Sequence, residues 1–229
     1  MLSYDLHIHS CLSPCADDEM TPGNILGMAS LIGLDVIALT DHNTCKNCPS
    51  IIAQSCNFPI TVIPGMELTT AEEVHVLCYF HTLKDAMAFD RYVAKHLLPL
   101  KNQPEIFGNQ LLCDTEDAIW GTYDKLLISA TDISFFQLSE LLQDYHGIMV
   151  PAHIDKNSNS LISQLGFIPE GCHFSCFEVH DYSLADSLKE KYPSLAKAQV
   201  LCNSDAHSLT SLHEKEYFLT KEQQTMLFP

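Results

Sequence analysis

The sequence predicts an α/β fold in which strands and helices alternate along the chain. Short apolar, β-branched runs alternate with segments of helical hydrophobic spacing, a pattern typical of parallel βα units. Several runs end in His, Asp or Glu, the position at which functional groups lie in such folds. The clearest cases are His-Ile-His at 7–9 and Asp-Ala-His at 205–207, each after an apolar run. Side chains i and i+2 of a strand point the same way, so each tripeptide should aim two metal-ligating groups together.

The first part of the chain contains the best-marked elements. Apolar runs predict strands at about 4–9, 35–40, 61–67 and 74–80. A helix is expected to begin at Thr21 and Pro22, which suit its cap and first turn, and to end at Gly33. A second helix is predicted at about 84–97.

The second part begins with an irregular segment. Residues about 99–130 contain Pro99, Pro104, Gly108 and Gly121, and we interpret them as an insertion within one domain of residues 1–229. A helix is predicted at 135–145. Further strands are predicted at 148–153, 174–179 and 199–203.

The composition restricts the partners. Acidic residues outnumber basic ones 29 to 12, for a formal charge of −17, which disfavours nucleic acid as a polymeric partner. The sequence shows no apolar stretch long enough for a membrane span and no leader peptide. Ten cysteines in such a chain are expected to be reduced thiols, which predicts a cytoplasmic protein.

Five motifs then appear in order along the chain. They are Asp-Leu-His-Ile-His-Ser at 5–10, Thr-Asp-His-Asn at 40–43, Gly-Met-Glu at 65–67, Pro-Ala-His at 151–153 and Ser-Asp-Ala-His at 204–207. Together they resemble the PHP family, the polymerase and histidinol phosphatase domains. The resemblance implies a distorted (β/α)7 TIM-like barrel that holds two or three divalent metal ions.

The resemblance also implies a set of metal ligands. The first ion would be held by His7, His9, Glu67 and Asp205. Glu67 would bridge to a second ion, completed by His75 and His153. His42 and His207 would hold a third with an acidic residue, for which Asp17 and Asp18 compete. The family's spacing before the helix proline, here Pro22, favours Asp17.

The ligand types are consistent with zinc, manganese or iron, because imidazole and carboxylate without thiolate suit all three. The implied nucleophile is a hydroxide that bridges two ions. Asp205 would orient it, and His207 is a candidate proton donor to the leaving group. Lys156 and His180 are candidate substrate-binding residues, because both follow strand ends.

The predicted function is therefore a metal-dependent phosphoesterase that hydrolyses a small phosphorylated metabolite, with a nucleoside phosphate as the first candidate. Histidinol-phosphate phosphatase is the alternative within the same chemistry. A PHP exonuclease or polymerase-associated module is a second class, and a non-catalytic metal sensor a third.

Four cysteines form a separate question. Cys11 and Cys15 lie in the first loop, and Cys45 and Cys48 form a C-x-x-C after His42. They could bind a softer metal or act as a redox switch. The other interpretation is that they are small, partly buried residues near loops.

Overall fold

The computed structural model describes residues 1–169 and 174–228, which form a mixed α/β fold. Its strands are β1 (Tyr4–Ile8), β2 (Val36–Leu39), β3 (Thr61–Thr69), β4 (His75–Phe80), β5 (Leu111–Cys113), β6 (Ile119–Thr122), β7 (Gly147–Pro151), β8 (Cys176–Val179) and β9 (Gln199–Cys202). Its α-helices are α1 (Pro22–Ile32), α2 (Cys48–Ser55), α3 (Leu83–His96), α4 (Pro104–Phe107), α5 (Phe135–Gln143), α6 (Leu161–Leu165), α7 (Ala185–Lys191) and α8 (Lys221–Leu227). The predicted α/β class is confirmed.

The main sheet has five strands in the order β1-β2-β3-β4-β7. The first three are parallel, whereas β4 runs antiparallel to both β3 and β7. The prediction of uniformly parallel βα units is wrong at β4. Only residues 70–74 join β3 to β4, and a parallel crossover needs a dozen or so residues. The reversal places His75, the first residue of β4, opposite Thr69 at the end of β3.

The last strands form a separate parallel pair, β8-β9. The chain after β9 returns to β1 through a single parallel bridge between Ile8 and Ala206. In that bridge His9 N donates to Ala206 O at 2.9 Å, and Ala206 N donates to His7 O at 3.2 Å. Across residues 1–169 and 174–228 no continuous ladder joins the two sheets, so the predicted closure into a barrel is not observed.

Helix α1 forms where its capping residues predict. The Thr21 side chain accepts from Asn24 N, Pro22 occupies the first turn, and Gly33 ends the helix with a φ of 79°. Such a positive φ is accessible to glycine without steric cost. The predicted helices at 84–97 and 135–145 are present as α3 and α5.

Residues 99–130 contain α4 and the antiparallel hairpin β5-β6. The hairpin lies against the loop that follows β1, where Leu111 N donates to Cys11 O at 2.8 Å. Asp117 accepts from Gly23 N at 2.8 Å at the start of α1. That this segment is an insertion, and that residues 1–229 form one domain, stay predictions. No helix in the described part of the chain is long and apolar enough to cross a membrane.

Candidate metal centre

One edge of the main sheet gathers eight imidazole and carboxylate side chains. Two come from β1 and the residue after it, one from β3 and one from the start of β4. The loops after β2 and β7 contribute one each, and the segment after β9 contributes two. The eight are His7, His9, His42, Glu67, His75, His153, Asp205 and His207. They include every predicted metal ligand except Asp17.

His7, His9, Glu67 and Asp205 form the most regular group. The Nε2 atoms of His7 and His9 lie 3.2 Å apart, and each lies 3.3 Å from Asp205 Oδ1. Each Nε2 also lies 3.3 Å from an oxygen of Glu67. One ligand atom of each of the four residues lies within 4.8 Å of the others, so the group could share one cation.

Glu67 lies at the centre of a second group. His75 Nδ1 and His153 Nε2 approach its Oε1 atom at 2.9 and 3.1 Å, and His42 Nδ1 approaches its Oε2 atom at 3.0 Å. The two oxygens of a carboxylate can bind two cations. Glu67, only 1% exposed, therefore has the geometry of a bridging ligand.

The third group consists of His9, His42 and His207. The predicted ligand Asp17 is exposed, and its backbone N donates to His207 O at 2.9 Å. The competing Asp18 accepts from Asn109 Nδ2 at 2.8 Å. The group of His9, His42 and His207 contains no acidic residue, and the exposed Asp17 lies outside it.

The two predicted substrate-binding residues lie in different places. Lys156 lines a cavity of about 140 Å³, together with Glu67 and His207. Its Nζ lies 2.7 Å from Asp205 Oδ2. His180 is exposed and lies outside the residues that line this cavity. Its backbone N donates to Asp155 Oδ1 at 2.8 Å.

The side chains present fit divalent cations. The buried atoms His42 Nδ1, Glu67 Oε2 and Asp205 Oδ1 have no hydrogen-bond partner. Each lies 3.0 or 3.3 Å from a ligand atom of a neighbouring side chain. Buried polar atoms without partners are costly, and a shared cation removes that cost. Imidazole and carboxylate donors suit zinc, manganese or iron, and do not separate them.

Comparison with known proteins places the chain in a family. A family model described as PHP domain matches residues 5–163. The chain belongs to the PHP family. An uncharacterised protein of Methanocaldococcus jannaschii is 34% identical over 76 residues, which are 30% of this chain and 44% of that protein.

Solved structures resemble the PHP chain at low sequence identity. The lesion-specific endonuclease Q from Pyrococcus furiosus has a TM-score of 0.61 at 20% identity, over 91% of this chain and 49% of that one. A proposed metal-dependent phosphoesterase from Bifidobacterium adolescentis has a TM-score of 0.55 at 18% identity, over 96% of this chain and 91% of that one. At these identities the likeness shows the fold. The chain spans less than half of endonuclease Q and of the Methanocaldococcus protein.

The PHP site has an outer carboxylate that sequence reasoning missed. Glu178 in β8 is 1% exposed, and its oxygens lie 3.0 and 3.1 Å from His7 Nδ1. It also accepts from His153 N at 2.8 Å and from Asn203 Nδ2 at 2.7 Å. An ionised carboxylate only accepts, so the hydrogen of His7 lies on Nδ1 and the lone pair of Nε2 faces the centre. The available signal was an acidic residue inside the apolar run Cys-Phe-Glu-Val.

His9 is oriented in the same way through a hydroxyl. Its Nδ1 lies 2.9 Å from Ser13 Oγ, and Ser13 donates to Asp41 Oδ1 at 2.8 Å. The Ser13 hydrogen is therefore committed to Asp41, so Ser13 accepts from His9. His207 Nδ1 donates to the Asp205 carbonyl at 2.8 Å. All three histidines are thus held with Nε2 free for a cation.

Two PHP ligands also have strained backbones. His153 has a φ of 28° and Asp205 a φ of 53°. Residues other than glycine rarely adopt this left-handed region. Strain of this kind persists where surrounding contacts enforce it, and it is common at functional sites.

Burial and neighbouring charges shift the pKa values of the histidines in the metal-free PHP cluster in different directions. Burial lowers the pKa of His42 to about 3 and that of His207 to about 4. Burial alone would also lower the pKa of His9, but the carboxylates of Asp205 and Glu67 outweigh it and raise the pKa to about 9. His42 and His207 are thus neutral at pH 7, whereas His9 must lose a proton when a cation binds.

The four cysteines do not belong to a metal-capable group in the described part of the chain. Cys15 is exposed, whereas Cys11, Cys45 and Cys48 are buried. Cys45 Sγ donates to Gly65 O at 3.1 Å.

Proposed function

We propose that this PHP protein is a metal-dependent hydrolase of small phosphomonoesters. The observation that carries the proposal is the arrangement of three overlapping ligand groups, two of which contain Glu67, with Lys156 at their rim. Adjacent divalent cations and a lysine beside an open cavity suit a phosphoryl group, whose negative charge they would neutralise.

The residues that would hold the ions follow from the three groups. His7, His9, Glu67 and Asp205 would bind one ion, and Glu67 with His75 and His153 another. His42 and His207 offer a third position. We propose two or three ions of zinc, manganese or iron. When bound, such ions act as Lewis acids toward phosphoryl oxygens and activate water as a nucleophile.

The chain's own groups would bind and orient the phosphate. Asp205 Oδ2 holds Lys156 Nζ at 2.7 Å, which directs a positive charge toward the cavity. Asp205 faces both the ligand cluster and this cavity, so it is placed to orient the attacking water. The low pKa of His207, about 4, favours a ligand role over that of proton donor at pH 7.

The proposed substrate is a small phosphorylated metabolite, with a nucleoside phosphate first and histidinol phosphate as the alternative. The cavity of about 140 Å³ is large enough for a phosphoryl group with part of its leaving group. The net charge of −17 opposes a long anionic partner. Closure of the strands into a distorted (β/α)7 barrel belongs to the same proposal, and the bridge between Ile8 and Ala206 supports it.

A second candidate is a phosphodiester nuclease. The fold likeness to endonuclease Q favours it, since hydrolysis of either ester uses similar metal chemistry. The acidic composition counts against it.

Phosphate release from a panel of phosphorylated metabolites, with protein loaded with manganese, iron or zinc, tests the proposal. His9→Ala and Glu67→Ala should abolish turnover, whereas His146→Ala, at an exposed histidine outside the cluster, should leave it unchanged. Cleavage of a labelled oligonucleotide without release of phosphate from the monoesters would favour the nuclease. Wild-type turnover by His9→Ala would refute the site assignment.

A further inference from the structure

Two cysteine side chains outside the metal centre meet in the protein interior. Cys11 Sγ, in the loop after β1, lies 3.5 Å from Cys113 Sγ at the end of β5. Their side chains are 0% and 5% exposed, respectively. The contact joins positions 102 residues apart, so it depends on the tertiary fold rather than on a local sequence motif.

The backbone around this pair is held in register from both sides. Leu111 N donates to Cys11 O at 2.8 Å. Asn47 bridges the same strand, since its Nδ2 donates to Leu111 O at 3.1 Å and its Oδ1 accepts from Cys113 N at 3.0 Å. Asp117, at the hairpin turn, accepts from Gly23 N in α1. These bonds keep the two sulfur atoms opposite each other.

We infer that Cys11 and Cys113 form a site of reversible oxidation, at which a small peroxide converts the two thiols into a disulfide. A disulfide bond is about 2 Å long, so the sulfur atoms need to approach by about 1.5 Å. The inference is independent of the proposed hydrolase activity.

Cys113 is the expected first point of attack because it is the more exposed of the two residues. The Cys11 thiol beside it also lowers the pKa of Cys113. The Cys113 thiolate would take one oxygen from hydrogen peroxide, giving a sulfenic acid and hydroxide. The Cys11 sulfur would then attack the Cys113 sulfur. The sulfenic hydroxyl would leave with the Cys11 proton as water, so two sulfurs are oxidised and the peroxide is reduced to water.

The bond would tie the β5-β6 hairpin to the loop that leaves His9. In the reduced protein, bonds such as the Leu111–Cys11 backbone pair hold the hairpin there, and hydrogen bonds of this kind open transiently. A covalent link closing a loop of about 100 residues also restricts the unfolded chain strongly. Oxidation should therefore stabilise this side of the metal centre.

The test treats the full-length protein with stoichiometric hydrogen peroxide, blocks the remaining thiols and maps the disulfide by mass spectrometry. Cys113→Ser removes one partner. Cys15→Ser is the matched control, since Cys15 is an exposed thiol on the same loop as Cys11. Cys15→Ser also removes the ambiguity of two neighbouring cysteines in one peptide.

The expected result is a Cys11–Cys113 peptide pair in wild type and Cys15→Ser, with a rise in melting temperature of roughly 5–10 °C that dithiothreitol reverses. Cys113→Ser should show neither the pair nor the rise. Full alkylation of Cys11 and Cys113 at a peroxide level that oxidises Cys15 would overturn the inference, as would a link from Cys11 to any other cysteine. The wild-type map decides the matter even if Cys113→Ser folds poorly.

Discussion

Replacing Glu178 by Gln should weaken metal binding although Glu178 is not itself a predicted metal ligand. The change keeps the side-chain shape and removes the charge. Oε1 accepts from His7 and Asn203, and Oε2 accepts from His7 and His153 N. Whichever oxygen becomes the amide nitrogen, a buried donor loses its acceptor.

The neighbours cannot adjust cheaply. Turning the Asn203 amide would break the bond in which its Oδ1 accepts from Leu6 N at 2.8 Å. A lost hydrogen bond to a charged group costs about 1.5–3 kcal/mol. Changing a residue that orients a metal-binding histidine typically costs about 10–100-fold in affinity, or about 1.4–2.7 kcal/mol. The two estimates agree, so we expect a loss of affinity of about 10–100-fold.

Competition with a chromogenic chelator measures the dissociation constant for zinc or manganese in wild type and Glu178→Gln. Glu190→Gln makes the same change of charge at an exposed position and should bind as wild type does. Circular dichroism establishes that each variant is folded. A folded Glu178→Gln protein with affinity within about threefold of wild type would refute the claim that Glu178 sets the proton position on His7.

Three further outcomes follow from the structure. Gly65→Ala should lower the free energy of unfolding by about 1–3 kcal/mol, because the new Cβ would lie 2.9 Å from Thr40 Cγ2; Gly27→Ala, with nothing within 4 Å in α1, should raise it by about 0.5–1 kcal/mol. Urea denaturation measures both, and equal effects would contradict the packing argument. The pKa of Glu72 lies below its ordinary value of 4.5, since its carboxylate accepts from Phe135 N and Ser134 Oγ. The ionised Glu72 therefore stabilises the folded protein above pH 4.5, and this contribution is lost as the pH falls through the lower pKa of the folded state. Glu72→Gln should lower the free energy of unfolding by about 1 kcal/mol at neutral pH and by less in acid. A deficit independent of pH would exclude the charge as its cause. Chelation of bound metal should lower the melting temperature of wild type, measured by calorimetry, because the buried ligands then lack a cation; an unchanged value would contradict metal binding by this cluster.

Local spacing predicted that His7 and His9 face the same side, because they lie two residues apart at the end of β1. Asp205 and His207 join them from the segment after β9, where Asp205 has a φ of 53° rather than strand geometry. The helix α1 was also predictable, since Thr21, Pro22 and Gly33 act through local bonds and backbone angles. Such features depend on neighbours in sequence.

The missed features depend on tertiary contacts. The direction of β4 follows from a connection too short for a crossover, which the strand pattern alone did not show. The exposure of Asp17 follows from the path of a loop whose backbone is bonded to His207. Glu178 acquires its role from His7, 171 residues away. No local spacing in the chain carries that information.

The bridge between Ile8 and Ala206 has a consequence for the order of events in folding. β1 is completed by a segment close to 200 residues further along, as the bond from Leu6 N to Asn203, over a separation of 197 residues, also shows. Contacts of such long sequence separation form slowly, because the entropy of closing the intervening chain is lost before they stabilise anything. The first ligand group needs His7, His9 and Asp205 together. A nascent or truncated chain that lacks the last strand cannot assemble that group, so capture of a cation there would mark the completion of the fold rather than nucleate it.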